Sequence, residues 1–470
     1  MTRRIIFGDK LHSECLISKL RNTKSGLQRR GGQTKSKAGR TAVADKGGTP
    51  GMVLMKLRGL TAGALVLCGL GTGPAEATNG YFANGFGGAS KGMAGAGVAV
   101  PSGVLGLAQN PAMGHKVGNM AGLCLTSFLP DRSVEIAPGG PLTPGTHKSR
   151  NDYFLIPCGG ANWVLNDRLT FGAFLFGNGG MNTEYGTNFF AGFGAGSEPL
   201  GVNLEQAFIS LNLSYKLSDQ VTVGVSPILA VQRFSATGLE AFSFMSTAPG
   251  NVTNRGDDWS HGWGANLGIL WEPGNGLAFG ASYRTRIEMQ KFDKYAGLFA
   301  EQGGFDIPAS ATIGLAYTPQ TAPKWTFTGE YQRIFYGDIP AISNPNAPPQ
   351  GPLGADNGIG FGWTDMDIWR LAAIYRHNET WTFRGGISHA SAFAEGKNAV
   401  MNSLTPATPQ WHASLGASYR INDRWGVTGS WTHAFDNSIK GTNPALTGVP
   451  QEVRARMSQN EIALGLTYRW

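Results

Sequence analysis

Several features that mark common protein classes are missing from this sequence of 470 residues. Charged residues make up only 15% of the chain. No stretch of about 20 apolar residues occurs, which excludes a bundle of membrane-spanning helices. The phosphate-binding pattern Gly-x-x-x-x-Gly-Lys-Ser/Thr is absent, so no nucleotide-driven step is encoded. No Cys/His cluster has metal-site spacing, and we expect neither a metal nor a cofactor.

Cysteine is also scarce, and only Cys124 and Cys158 follow the N-terminal leader described below, too few for a disulfide framework. The net charge of +8 is misleading. Residues 1–50 hold 12 Lys/Arg against 3 Asp/Glu, whereas residues 78–470 hold 25 Lys/Arg against 27 Asp/Glu. A nucleic-acid partner requires a basic face on the folded part of the chain, so we expect no such partner.

Residues 55–77 read MKLRGLTAGALVLCGLGTGPAEA. A positive start, a short apolar run and a final Ala-Glu-Ala are typical of a secretory signal peptide, and we expect cleavage at the end of this range. We interpret residues 1–54 as an upstream extension left by a mis-assigned start, with Met52 or Met55 as the true one; a genuine extension is the alternative. Lipid attachment at Cys68 is a second alternative.

From residue 119 to the end, apolar and polar residues alternate with period two, the pattern of half-buried strands. The last strand shows it best, because Ile462, Leu464 and Leu466 share one face. We predict about fourteen strands, near 119–130, 151–165, 168–183, 202–217, 220–237, 258–272, 276–292, 306–318, 324–337, 364–377, 380–392, 407–421, 424–436 and 455–470.

The predicted connections alternate between short turns and long loops, and aromatic residues cluster beside the short turns. Outer-membrane barrels have short periplasmic turns, long outside loops and aromatic girdles. Residues 119–470 are therefore predicted to form an all-β, antiparallel transmembrane barrel. We expect a multi-pass, monomeric protein of the bacterial outer membrane, surrounded by its lipid. A soluble β-sandwich is the alternative.

Residues 78–118 do not alternate and are rich in Gly and Ala. They precede the first strand, so they lie either at the periplasmic side or inside the barrel. Small residues allow backbone to pack closely, which suits a compact plug. Nothing else in the chain is available to fill a lumen of this size.

These residues carry a resemblance to the FadL family of outer-membrane channels for long-chain fatty acids and aromatic hydrocarbons. The resemblance rests on Asn79-Gly80-Tyr81-Phe82, on Gly95-Ala96-Gly97, on Asn110-Pro111-Ala112 before the first strand, and on the array of strands ending at Trp470. It implies an N-terminal hatch of residues 78–118 inside the barrel. One departure is the apolar run Val98-Ala99-Val100-Pro101, where the family often has acidic or polar residues.

Three long loops contain apolar residues where exposed loops are usually polar. We predict that they gather a hydrophobic small-molecule ligand, whereas a lid of mutually packed loops is the compatible alternative. The alternation along the strands predicts that several arginines face the lumen, where they could bind the carboxylate of a fatty acid. The alternative is that they pair with lumen acids such as Glu205, Glu330 and Glu461. The predicted ligand-binding residues are Phe189, Phe190, Phe193, Phe242, Phe244, Met245, Leu298, Phe299, Arg284, Arg370 and Arg384.

Glycines interrupt the third predicted strand at Gly177-Asn178-Gly179-Gly180. Glycine inside a strand marks a bulge or kink. The resemblance implies that a kink here opens the barrel wall, and a purely local bulge is the alternative. The hatch residues singled out by the resemblance are Tyr81, Phe82, Asn110, Pro111 and Ala112.

The expected function is passive uptake of hydrophobic small molecules, long-chain fatty acids in the first place, captured by the loops and released sideways through the wall. An aromatic-hydrocarbon channel is the alternative within the family. A barrel hydrolase or adhesin and an open porin are alternatives of other classes. Gly88-Ala89-Ser90-Lys91-Gly92 matches a nucleophile elbow, but that motif needs an α/β sheet, so we expect no enzyme.

Cys124 and Cys158 are equally far from the midpoint of the first long loop, near residue 141. In an antiparallel hairpin, residues placed in this way face each other. We therefore predict that the two thiols lie close together on the lumen wall. A disulfide between them is possible in an oxidising compartment.

Overall fold

The computed structural model describes residues 79–194, 196, 198–346 and 350–470. The expected upstream extension (1–54) and signal peptide (55–77) lie outside the described residues, as does Thr78. No helix within the described ranges is long and apolar enough to cross a membrane.

Sixteen strands form one antiparallel sheet, which closes because the last strand pairs with the first. Two of them, β2 and β9, are short additions to the edges of β1 and β7, and the other fourteen form the barrel, as predicted. The strands are β1 (Met120–Ile136), β2 (Gly145–Lys148), β3 (Phe154–Val164), β4 (Leu169–Tyr185), β5 (Leu200–Lys216), β6 (Val221–Thr237), β7 (Asp258–Gly274), β8 (Leu277–Arg284), β9 (Glu288–Met289), β10 (Ser310–Tyr317), β11 (Trp325–Ile334), β12 (Met366–Arg376), β13 (Trp381–Ala390), β14 (Trp411–Arg420), β15 (Trp425–Thr442) and β16 (Glu452–Arg469).

The outer wall is apolar because every second side chain points away from the lumen. Leu123 and Leu464, for example, are about 60% exposed, whereas inward-facing Phe128 is fully buried. Aromatic rings pair across neighbouring strands at the end with the short turns. Trp325 lies 4.6 Å from Tyr375, measured between ring centroids. An apolar band bounded by aromatic girdles is the outer face that a lipid bilayer requires.

Some strand ends differ from the prediction. β1 and β15 extend to Ile136 and Thr442, well beyond the predicted ends, because polar and charged side chains continue the ladder above the apolar band. Arg454 and Glu135 form an ion pair across β16 and β1, with 3.5 Å between Nη1 and Oε2. Apolar periodicity cannot detect such extensions. The predicted strand 276–292 is too long, because β8 ends at Arg284 and the chain then forms the separate short strand β9.

The predicted register of the first hairpin is confirmed. Cys124 lies directly opposite Cys158 across β1 and β3, and the two residues form a disulfide. Both side chains pack against the interior core, as parity predicted.

Residues 79–118 run through the inside of the barrel and contain only short helical turns. These are α1 (Gly87–Lys91), Val104–Ala108, Pro111–Met113 and α2 (Gly114–Val117). Further helical turns lie in the long loops, at Ala191–Phe193, Glu240–Met245, Pro249–Asn251, Asp293–Tyr295, α3 (Ala300–Gly303), Tyr336–Asp338, α4 (Pro340–Ser343), Gly396–Asn398, α5 (Ala399–Asn402) and α6 (Pro444–Thr447). Apolar residues of this segment and of the loops share one large core.

Candidate functional site

The barrel wall has a gap in its backbone pairing between β3 and β4. The ladder between these strands ends where Gly159 pairs with Leu175. Higher up, β3 pairs only with β1 and β4 pairs only with β5. The wall closes again at a bridge between Ser149 and Tyr185. The β3–β4 gap is thus a bounded window rather than a frayed edge.

Side chains fill this window. Arg132 Nη1 donates a hydrogen bond of 2.6 Å to the Asn182 carbonyl on the far side. Ile156 packs toward Gly177, so that a Cβ added to the glycine would lie 3.1 Å from Ile156 Cγ2. Among the described residues, no backbone pairing joins β3 to β4 in this part of the wall.

The β4 strand bulges at the window, with a register shift between Gly177 and Gly179. The start of the hatch pairs with this bulge from inside. Gly180 N donates to Tyr81 O, and Ala83 N donates to Asn178 O, both at 2.9 Å. A Cβ on Gly179 would stand 1.7 Å from Tyr81 O, so only glycine permits this approach.

Aromatic rings from the loops hold the hatch N-terminus in place. Tyr336 Oη donates to Asn79 O at 2.6 Å and accepts from Tyr81 N at 3.2 Å. The rings of Tyr336 and Trp363 meet at 5.2 Å, and Trp363 Nε1 donates to Asn402 Oδ1 at 2.6 Å. Residues 79–83 are therefore enclosed between the loop aromatics and the β4 bulge.

A buried arginine lies at this junction. The Arg284 guanidinium stands 4.6 Å from the centroid of the Phe82 ring and 5.3 Å from that of Phe208. Arg284 Nη1 donates to Asn178 Oδ1 at 2.7 Å. Its Nε is buried and hydrogen-bonds no described residue. Among the described residues Arg284 forms no ion pair with a carboxylate.

The two tyrosines near Arg284 do not neutralise it. Burial and the neighbouring Tyr336 raise the pKa of the Tyr81 phenol well above its ordinary value. Burial also raises the pKa of Tyr336 far above the ordinary value. Both phenols therefore stay protonated at neutral pH.

A cavity of about 30 Å³ lies beneath the loops. Its lining is almost entirely apolar, but it is far smaller than the roughly 300–1,000 Å³ of a ligand pocket. The lining residues are Met181, Val202, Phe234, Leu239, Leu298, Phe299, Ala341, Leu353, Ile359, Gly360, Phe361, Met401, Leu404 and Thr405.

Two buried carboxylates of the wall, Glu461 on β16 and Glu330 on β11, hold the middle of the hatch. Lys91 Nζ lies 2.6 Å from Glu461 Oε2, and both side chains are almost fully buried. Glu330 accepts a 2.8 Å hydrogen bond from Arg370 and further bonds of 2.9 Å from the backbone N–H groups of Gly97 and Val98. The Glu330 carboxylate is thus fully satisfied by groups of both the wall and the hatch.

The Asn-Pro-Ala turn packs against two glycines of the barrel strands. Asn110 Oδ1 accepts from Ala112 N at 3.0 Å, and Asn110 Nδ2 donates to Val98 O at 2.7 Å. Gly224 and Gly268 are direct partners on β6 and β7. A Cβ on either of these glycines would come within 2.2 Å of the turn. The turn therefore docks against bare backbone.

The family model for the outer membrane protein transport proteins (OMPP1/FadL/TodX) matches residues 71–470. The chain belongs to this family. Two curated relatives are the long-chain fatty acid transport protein of Escherichia coli O6:H1, 23% identical over 59% of this chain and 69% of the relative, and the 47 kDa outer membrane protein of Pasteurella multocida, 22% identical over 70% and 80%.

Solved structures share the fold. The Pseudomonas putida toluene transporter TodX has a TM-score of 0.62 and 18% identity, covering 82% of this chain and 99% of its own. A Pseudomonas aeruginosa FadL homologue has a TM-score of 0.62 and 16% identity, covering 83% and 99%. This FadL-family chain is accordingly a closed barrel of the outer membrane, and the family consists of transport channels rather than enzymes.

The structure gathers most of the predicted loop residues into two aromatic clusters. In the first, Phe190 contacts Phe189 and Phe242 at 4.9 and 4.8 Å between ring centroids, with Phe193 at the margin. In the second, Phe299 lies 4.7 Å from Phe234, and Leu298 and Phe299 line the cavity. Met245 packs against the same core. Phe244 does not join either cluster, since it is 80% exposed.

The three predicted arginines occupy three different places. Arg284 lies at the β4 bulge, together with Phe82 and Asn178. Arg370 lies under the hatch in its ion pair with Glu330. Arg384 faces the lumen nearer the short turns and donates to Ser418 Oγ at 2.6 Å. The structure therefore does not bring the three together.

Several site residues were missed by sequence reasoning. Tyr336 and Trp363 lie in a long loop, and only their aromatic character signalled a possible role. The strand glycines that face the hatch gave a clearer signal, because glycine inside a strand marks a close approach of backbone. These inward-facing positions are Gly224, Gly268, Gly280, Gly386 and Gly416.

Proposed function

We propose that this FadL-family protein is a passive channel for long-chain fatty acids, which enter beneath the extracellular loops and leave sideways through the β3–β4 gap. The observation that carries this proposal is Arg284, a buried cation without a carboxylate partner among the described residues. A buried unpaired charge is costly, and a ligand carboxylate offsets that cost. Arginine also matches a carboxylate in shape, through two parallel hydrogen bonds.

A series of aromatic contacts supports the path from the cavity to Arg284. Phe299, in the cavity lining, lies 4.9 Å from Phe305. Phe305 lies 6.1 Å from Tyr81, and Tyr81 lies 5.2 Å from Phe82, beneath the guanidinium. A hydrocarbon tail can exchange contacts with successive rings along this line while its carboxylate reaches Arg284.

The substrate class is tested by replacing Arg284 with Gln. Oleate uptake should fall by at least about tenfold, since a charge-assisted pair contributes roughly 1.5–3 kcal/mol, while toluene uptake stays unchanged. Arg286→Gln is the matched control, because Arg286 already pairs with Asp306 at 2.6 Å. Unchanged oleate uptake in a folded Arg284→Gln protein would contradict the fatty-acid proposal.

Monoaromatic hydrocarbons are the second candidate substrate. The apolar lining of the cavity suits an uncharged ring, and two structural relatives carry the printed name toluene transporter. A protein with this substrate would take up toluene at the same rate with or without the Arg284 charge, and would not support uptake of oleate.

The lateral exit is tested with a reversible cross-link across the window. Ile156→Cys and Gly177→Cys, in a Cys124→Ser/Cys158→Ser background, would join β3 to β4 where Ile156 approaches Gly177. Oxidation should stop uptake, and reduction should restore it. Ala161→Cys with Ala173→Cys is the control, because these residues are already paired across the same two strands. Full uptake through the cross-linked window would contradict a lateral exit.

A further inference from the structure

Four arginines face the lumen at the end of the barrel that carries the short turns. Arg376, Arg384, Arg420 and Arg469 lie near the ends of β12, β13, β14 and β16. Each lies an even number of residues from a buried residue of its own strand, as Arg376 does from Ile374 on β12. Its side chain therefore points to the lumen side. In an outer-membrane barrel the short turns are periplasmic. We call these residues the periplasmic arginine cluster.

The strand register places the cluster members in two neighbouring pairs, Arg376 with Arg384 and Arg420 with Arg469. Arg376 pairs with Thr382, two residues before Arg384, and such diagonal neighbours are roughly 7–8 Å apart at their Cα atoms. Arg420 pairs with Gly426, and Gly426 pairs with Thr467, two residues before Arg469. Gly426, on the strand between them, contributes no side chain.

No member of the cluster forms an ion pair with a carboxylate in the part of the chain that the structure describes. Arg376 Nη1 donates to Thr326 Oγ1 at 2.9 Å, and Arg384 Nη1 donates to Ser418 Oγ at 2.6 Å. Arg384 Nε is buried and hydrogen-bonds no described residue. Arg376 and Arg384 are therefore bonded to hydroxyl groups, which do not neutralise them.

Two other cations, one on β12 and one in the hatch, are arranged differently. Arg370, on the same strand as Arg376, pairs with Glu330 at 2.8 Å. Lys116, in the hatch, pairs with Glu272 of β7 at 2.6 Å. Like charges held together without a counter-charge are unfavourable. Arg384 is half-buried, and Arg376, Arg420 and Arg469 are exposed to solvent, where an anion can reach them. The geometry points to an anion that supplies the missing negative charge.

We propose that the periplasmic arginine cluster binds an oxyanion, a phosphate or carboxylate group that reaches it from the periplasmic end of the lumen. Guanidinium groups bind both kinds of group through paired hydrogen bonds. The hydroxyls of Thr326, Ser418 and Thr428 extend the polar lining, with Ser418 and Thr428 hydrogen-bonded at 2.8 Å. The hatch covers this site from above, since Gly92 packs against Gly416 on β14. The site is separate from Arg284 and does not depend on the function proposed above.

Isothermal titration calorimetry on the purified full chain, at constant ionic strength, tests the site. Inorganic phosphate and hexanoate are the two probes, and they distinguish a phosphate-type ligand from a carboxylate ligand. The cluster variant carries Gln at all four arginines. The control variant removes the same charge from Lys148, Lys294, Lys397 and Lys440, which are exposed at the other end of the barrel, among the long loops.

At least one probe should bind the unmodified protein and bind the cluster variant at least about tenfold more weakly, with the control variant unaffected. Heat-modifiable mobility checks that each variant is folded, and Arg384→Gln alone serves if the fourfold variant does not fold. Equal binding by the cluster variant, equal loss in the control variant, or no binding of either probe would each overturn the proposal.

Discussion

The hatch is attached in two different ways at its two sides. At the β3–β4 gap, residues 79–83 are held by neutral hydrogen bonds to Asn178, Gly180 and Tyr336 and by ring contacts. Elsewhere on the wall, residues 91–98 are held by two buried carboxylates, Glu461 of β16 and Glu330 of β11. A neutral hydrogen bond contributes about 1 kcal/mol net, whereas breaking a buried ion pair costs about 3–5 kcal/mol. Residues 79–83, at the β3–β4 gap, should therefore detach from the wall before residues 91–98 do.

Removal of the hatch tests both attachments at once and has the largest expected effect. Deletion of residues 80–112 should turn the protein into a conducting pore, because within the described chain this segment occupies the lumen. Single-channel recording in planar bilayers measures the conductance. If the shortened barrel conducts no better than the intact protein, the hatch does not occlude the lumen.

Loss of the Glu330 carboxylate breaks the strong attachment. Glu330→Ala leaves Arg370 buried without its partner and removes the acceptor for Gly97 N and Val98 N. We expect a destabilisation of about 3–5 kcal/mol, seen as a lower thermal midpoint and a measurable leak current. Replacing Arg370 with Met in the same protein should recover much of the stability, since no unpaired charge remains. A double variant as unstable as Glu330→Ala would argue against this ion pair as the anchor.

A single methyl group tests the weaker attachment. Gly179→Ala places a Cβ against Tyr81 O and should displace residues 79–83 while both ion pairs persist. Maleimide labelling of a cysteine at Ala83 should become faster in this variant. A cysteine at Ala94, on the anchored side, is the control and should stay protected. Equal acceleration at both positions would mean that the hatch moves as one body.

The smallest expected effect is that of the Tyr336 hydroxyl. Tyr336→Phe removes the hydrogen bonds with Asn79 O and Tyr81 N but keeps the ring. A change of about 1 kcal/mol in the local opening of residues 79–83 is expected, which hydrogen exchange of the Tyr81 amide measures. Unchanged exchange would show that ring packing alone holds this end.

The sequence was sufficient to predict the barrel and its strand number. Period-two alternation assigns each side chain to the lumen or the lipid, and short turns pair neighbouring strands without ambiguity. The facing cysteines, Cys124 and Cys158, followed from counting along one hairpin. The upper ends of β1 and β15 could not be predicted in this way, because charged residues form the ladder there and leave no apolar pattern.

The candidate site was predicted less completely, because its contacts join distant parts of the chain. Sequence reasoning named Arg284 and Arg370 together, yet only the structure separates an arginine without a carboxylate partner from one that pairs with Glu330. Tyr336 reaches Tyr81 across 255 positions of the chain, a distance over which no local pattern carries information.

By itself, the sequence determined the alternation of apolar and polar residues, the order of short turns and long loops, and the strand glycines that let the hatch backbone come close. Each of these depends only on residues near one another in the chain. The tertiary structure alone decided which glycine meets which part of the hatch, where the β3–β4 ladder is interrupted, and which lumen arginines have no carboxylate beside them. These depend on register across long loops and on the path of the hatch, which are set by packing of the whole barrel rather than by turn geometry.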